Sequence, residues 1–190
     1  TFPRGAGRAQ MRARAKRLVM ELANRARLRT HAMVTPSPVQ VRFAGGLVSF
    51  TFDDVPRSVL GGALPTLEEA GFAGTLYVAG ELSQQSPFVS ADQLMEVEQG
   101  GHEIGDHTWD HRPLLKRSPG DLRASLNRNA QYLRRAIPDL SLRSFSFPRG
   151  SLNPLAKGEL KRFSSARTTA PGINAGHTDR YSLRAEKLYS

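Results

Sequence analysis

The chain has 190 residues, 39% hydrophobic and 23% charged, a balance that suits one globular domain with its own core. No apolar run approaches the roughly 18–20 residues that would span a bilayer, and the lack of cysteine excludes disulfides and thiolate metal ligands. The formal charge of +10 is concentrated at one end: nine Arg or Lys against Glu21 alone place +8 of it in residues 1–30, so the remainder is close to neutral.

Residues 8–30 contain neither Gly nor Pro, and Met11, Ala15, Leu18, Val19, Leu22 and Ala26 recur near helical spacing. This predicts a basic amphipathic helix, stopped by Thr35-Pro36-Ser37-Pro38, so residues 1–38 read as an arm and linker before a domain over 39–190. The arm is suited either to packing its apolar stripe on the domain or to holding an anionic surface. No apolar leader stretch precedes it; a secretory signal is absent or was removed before Thr1, and the cytoplasm is the favoured compartment.

From residue 46 onward strands and helices alternate. Strands are expected at Leu47–Phe52, Gly74–Val78, His102–Asp106, Phe145–Phe147, Ala166–Thr169 and Leu183–Tyr189. Helices are expected at Ser58–Ala70, at Ala91–Gln99, from the cap at Ser118 to a stop before Pro138, and at Asn153–Phe163. Ser118-Pro119-Gly120-Asp121 has the Ser-x-x-acid form of a helix cap with Pro at the first helical position. Strict alternation argues for parallel strands joined by crossover helices.

Two segments carry the chemistry. Thr51-Phe52-Asp53-Asp54 sets adjacent carboxylates after an apolar strand, and His107-Thr108-Trp109-Asp110-His111 spaces two imidazoles by four residues, which one helical turn would align. Two His and one Asp make a ligand set for a divalent cation with a position left open, and the second carboxylate is then available as a base. Neighbours on an extended strand point to opposite faces, so a turn must redirect one of the two aspartates.

These segments resemble the first two motifs of the polysaccharide deacetylases, the carbohydrate esterases built on the NodB homology domain. Gly100-Gly101-His102-Glu103-Ile104-Gly105 resembles the strand leading into the second motif. The resemblance implies an irregular (β/α) barrel with its site at the carboxyl ends of the strands. It implies Asp54, His107 and His111 as metal ligands, Asp53 as general base, and His102 as structural. Zn²⁺ is the first expectation for the ion, with Co²⁺ or Ni²⁺ as alternatives. Phe145-Ser146-Phe147-Pro148-Arg149-Gly150 resembles the third motif, with Ser146 where an Arg normally steadies the base and Arg149 where an aromatic is common. Phe147, Pro148, Arg149 and Trp109 are the substrate-side candidates; the Arg149 N–H would serve the oxyanion, and Trp109 would stack on a sugar or anchor the core.

The late histidine that serves family members as general acid has no counterpart. His31 precedes the domain, and His177 lies in Pro171–His177, a loop resembling the linker before that late region. The barrel is therefore expected to be incomplete at its C-terminal side, with the arm or a homodimer covering the gap. The resemblance implies metal-dependent removal of acetyl from N-acetylglucosamine units of a poly- or oligosaccharide, as in chitooligosaccharide deacetylases. The alternatives are a sugar-binding relic without turnover, or an arm that holds nucleic acid or another anionic surface, of which nucleic acid is disfavoured.

Overall fold

The structure is a computed structural model and describes residues 37–188, together with Met11, Ala15, Val19, Leu22, Ala23 and Ala26. Those six are helical, and Met11, Val19 and Leu22 expose their side chains; the rest of the expected arm helix lies outside the described residues.

Five parallel strands form one sheet in simple chain order: β2 (Phe50–Asp53), β3 (Gly74–Val78), β4 (Glu103–Asp106), β5 (Ser144–Ser146) and β6 (Ser165–Arg167). Each connection carries a helix, as parallel neighbours require. After β2 comes a π-helical turn, Val59–Ala63, running into α1 (Leu64–Glu69). After β3 come α2 (Gly80–Ser83) and α3 (Ala91–Gln99), and after β4 comes α4 (Pro119–Ala136). The wider turn at Val59–Ala63 coincides with Gly61-Gly62, a pair of poor α-formers. Between β5 and β6 the expected α-helix is wound as a 3₁₀ helix, Pro154–Arg162, with Gly158 at its centre.

Outside this sheet, β1 (Pro38–Val41) pairs antiparallel with β7 (Gly176–Asp179). Both strands escaped the sequence pattern, because β1 begins at a proline read as linker and β7 occupies a Gly-rich stretch read as loop. The expected strand from Leu183 shrinks to one parallel bridge between Leu183 and Arg167.

The core has two parts, and α4 belongs to both. Leu122 and Leu126, from its first half, join Leu114, Phe145, Phe147, Leu152, Leu160 and Phe163. Leu133, from its second half, joins Leu76, Val78, Leu94, Val97 and Ile104. Ser118 and Asp121 close the expected capping box at the start of α4. The sheet curls into a half-barrel, which brings its outermost strands, β2 and β6, within side-chain reach of each other: Arg167 Nη2 meets Asp53 Oδ1 at 2.5 Å. Gly105 makes room for the site's floor, since a Cβ there would lie 2.5 Å from the ring of Tyr77, its register partner on β3.

Candidate active site

The site is built on the loops leaving the carboxyl ends of β2 and β4. Asp53 ends β2, and Asp54 follows in left-handed conformation with φ 62°. This is the turn that two adjacent aspartates needed, and it sends their carboxylates to separate partners. Val55 continues it at φ 49°, an unusual conformation for a β-branched residue. Thr108 (φ 65°), His111 (φ 47°) and Arg149 (φ 55°) complete the set of non-glycine residues with positive φ among the described residues. All five lie in loops after β2, β4 and β5. Such backbone costs about 1–3 kcal/mol per residue and persists where the surroundings over-determine it.

The His107–His111 loop shows those surroundings. Thr108 N–H donates to Asp106 Oδ1 at 2.7 Å, Trp109 N–H to Ser125 Oγ at 3.1 Å, and Glu81 N–H to the Trp109 carbonyl at 2.9 Å. Asp110 Oδ1 accepts from Arg117 at 2.8 Å and from Ser125 Oγ at 3.0 Å. Burial alone would raise the Asp110 pKa, but the hydrogen bonds and charge of Arg117 bring it below the ordinary carboxylate value.

Within this frame Asp54, His107 and His111 converge, with one ligand atom from each lying within 4.8 Å of the others. Asp54 Oδ1 is 3.0 Å from His111 Nε2 and 3.6 Å from His107 Nε2, yet it is buried and accepts no hydrogen bond. His107 Nδ1 lies 2.7 Å from the Ser146 carbonyl, which can only accept, so Nδ1 carries the hydrogen and the neutral ring turns a lone pair outward at Nε2. Burial lowers the His107 pKa, against the pull of Asp53 and Asp54, and favours that neutral ring. Lone pairs facing one another around an orphaned carboxylate oxygen fit a cation better than a hydrogen-bonded cluster. Access is from the carboxylate side, because the side chain of Asp54 is 39% exposed and that of His107 only 1%.

Asp53 stands apart from the cluster and is held from the far edge of the sheet. Arg167 Nη2 donates to its Oδ1, while the Arg167 guanidinium lies over the Tyr77 ring, 4.8 Å from its centroid. Burial raises the Tyr77 pKa, so the ring is a neutral platform beneath the ion pair. Arg167 was missed in the sequence. Its only signal was a guanidinium among small residues near the start of the expected strand Ala166–Thr169, where a charge has no reason to sit unless something opposes it.

Ser146, at the position expected to bear the steadying Arg, is buried with an unpartnered Oγ and is the register partner of Arg167. Phe147 and Pro148 are buried, and Phe147 packs edge-on against Phe145 with ring centroids 5.1 Å apart. Trp109 is 8% exposed, covered by the Arg128 guanidinium at 4.1 Å and by Tyr132. These three side chains are buried, and of the substrate-side candidates Arg149 alone is exposed. His102 is at the amino end of β4, where Nδ1 accepts from Gly74 N–H and Nε2 meets Glu68. His177 is exposed on β7 and is not brought to the cluster.

Against known proteins, residues 40–165 match the polysaccharide deacetylase family. The chain belongs to that family. It is 39% identical over 72 residues to a peptidoglycan-N-acetylglucosamine deacetylase, PgdA, of Listeria monocytogenes, covering 37% of this chain and 15% of the relative. Among solved structures it is similar to the Streptococcus pyogenes deacetylase PplD in complex with acetate, with a TM-score of 0.66 and 23% identity over 74% of this chain and 64% of that one. It is also similar to a family 4 acetyl xylan esterase from Clostridium thermocellum in complex with a cobalt ion, with a TM-score of 0.55 and 23% identity over 65% of this chain and 58% of that one. These likenesses share the curled parallel half-barrel. Among the described residues no helix is long and apolar enough to cross a membrane.

Proposed function

We propose that the chain removes acetyl groups from N-acetylglucosamine units of a poly- or oligosaccharide, with Asp54, His107 and His111 holding a divalent cation. The observation that carries this is the orphaned Asp54 Oδ1 facing two imidazole Nε2 atoms, with a second, separately held carboxylate beside it. Zn²⁺ suits the donor set, as do Co²⁺ and Ni²⁺. When bound, such an ion supplies Lewis acidity that polarises the acetamide carbonyl and acidifies water at neutral pH.

The protein's own residues then divide the work. Asp53 takes the proton of the attacking water, and Arg167 keeps its carboxylate aimed by holding one oxygen. The Arg149 N–H, in the turn after β5, is assigned to the developing oxyanion, with its side chain free to meet the glycan. No further histidine joins the cluster among the described residues, so Asp53, once protonated, is assigned to return the proton to the leaving amine. A homodimer would use the β2 edge of the half-barrel, because the outer edge of β6 is already bonded by residues 180–183.

The test is acetate release from N-acetylglucosamine oligomers, with a chelator-treated sample and Asp53→Asn alongside. Loss of turnover in both supports the proposal, while a rate indifferent to both overturns it.

A further inference from the structure

The outer face of α4 carries a basic groove of about 850 Å³, lined by Asn127, Arg128, Gln131, Arg134, Arg135 and, from the 3₁₀ helix opposite, Arg162. The α4 positions fall at i, i+1, i+4, i+7 and i+8, which places them on one face. The groove shares no residue with the metal cluster.

Its arginines differ from those around them. Arg117 pairs with Asp110, Arg123 pairs with Glu159 through two hydrogen bonds, and Arg167 pairs with Asp53. Among the described residues, none of the four groove arginines forms an ion pair at contact distance, although Arg162 is near enough to Glu159 to feel its charge. Three are nevertheless held in place by neutral groups. Arg128 lies over Trp109 at 4.1 Å, Arg134 Nε donates to the Leu140 carbonyl at 3.2 Å, and Arg162 Nη1 donates to Asn127 Oδ1 at 2.8 Å. The C-terminal dipole of α4 accounts for Arg134 and Arg135 in its last turn, but not for Arg128 nearly two turns earlier or for Arg162 on another element. Crowding four like charges opposes folding, and an oxyanion between them would reverse the sign.

We propose that this groove binds an acidic polysaccharide, through carboxylates or other oxyanions carried on the sugar chain. Single-stranded nucleic acid would want exposed aromatic faces for its bases, and the one aromatic ring at this surface is buried beneath Arg128. A lipid surface would want exposed apolar anchors, and Ala130 is the sole apolar lining residue. That the anionic polymer is a glycan rests on the deacetylase reading above; the groove's preference for anions does not. Holding one stretch of a chain here would raise the local concentration of its N-acetylated units at the metal cluster.

The experiment is fluorescence anisotropy of a labelled hyaluronan decasaccharide, in which glucuronate alternates with N-acetylglucosamine, with chelator present so that binding is read without turnover. A chitin hexamer and a single-stranded oligonucleotide serve as comparisons. Hyaluronan is expected to bind with an affinity that falls as salt rises. Arg134→Gln/Arg135→Gln/Arg162→Gln is expected to weaken binding about tenfold, as the loss of several surface ion pairs implies. The same variant should keep its thermal midpoint and its acetate release from neutral oligomers. Arg135→Gln alone, expected to weaken binding measurably, carries the test if the triple variant does not fold. Undetectable binding, tighter binding of the oligonucleotide, or equal weakening by Arg8→Gln/Arg12→Gln/Arg14→Gln in the arm would each overturn the proposal. Because neutral-oligomer turnover is scored separately, failure of the groove and failure of the deacetylase reading remain distinct.

Discussion

The two sides of the half-barrel present their functional groups differently. On the β2–β4 side, Asp53 ends its strand, and Asp54, His107 and His111 stand in loops whose left-handed residues are braced by backbone and side-chain hydrogen bonds. On the β5–β6 side the contribution is thinner: a carbonyl from Ser146 fixes the His107 tautomer, and a guanidinium from Arg167 spans the curl to Asp53. In the proposed reading the β2–β4 side supplies the cation ligands and the base, and the β5–β6 side orients them and adds the Arg149 N–H.

The sharpest break in that division is Asp53→Asn, which keeps the shape of the side chain but removes its basicity. Turnover is expected to fall by about 10²–10⁴, the usual worth of a positioned proton-transfer group. Cation binding, measured by calorimetry, should persist because Asp54, His107 and His111 are intact. A variant that lost the cation as well would merge Asp53 into the ligand set.

The orienting side is broken next by Arg167→Ala. Here kcat is expected to fall by about 10–100-fold, the range seen when an outer partner of a functional group is removed. KM and cation affinity should change little, and Arg167→Lys should recover part of the loss. Ser146→Ala should be silent, because only the main-chain carbonyl of that residue is engaged with the site. A large effect at Ser146 with none at Arg167 would reverse the assignment. A further sharpening is to add Ser146→Arg to the Arg167→Ala background: these residues are register partners, so the restored charge enters at the same level of the sheet.

This contrast also explains what could be read in the sequence. Strand β3 and helix α3 match their expected limits, since an apolar run bounded by turn signals and a capped helix ending at Gly100 are local patterns. The Asp54, His107 and His111 cluster was legible for the same reason: its two motifs are short and lie at predicted strand ends. Arg167 was not, because its partner is 114 positions away and is reached only once the sheet curls. Trp109 was left open between sugar platform and core anchor, and the choice rests on Arg128 and Tyr132, which arrive from α4. The β1–β7 pair was hidden by Pro38 and Gly176, which are poor in strand interiors and read as linker and loop, although each stands first in its strand, where the ladder tolerates it.

The smallest expected effect concerns the bracing of the reactive side and is read in stability. Asp106 is fully buried at the end of β4, and burial pushes its pKa up to about 7, against the hydrogen bond from Thr108 N–H. Its Oδ2 has no partner. Between the ordinary carboxylate range and pH 7 the folded chain therefore holds a proton that the unfolded chain releases. Stability from this residue is full at low pH and is lost as pH rises through that window. In cation-free protein, Asp106→Asn should gain on the parent between pH 5 and pH 8 by on the order of 2 kcal/mol in denaturant unfolding. His107, whose lowered pKa costs stability as pH falls below its ordinary value, is common to both proteins and cancels in the difference. The amide oxygen of Asn can still accept from Thr108 N–H, so the His107–His111 loop and cation binding should survive. Asp106→Leu has a similar branched shape but no acceptor, and it should lose the cation. If instead Asn and Leu behaved alike, the loop would be held by its other hydrogen bonds alone, and the buried carboxylate would have no part in shaping the site.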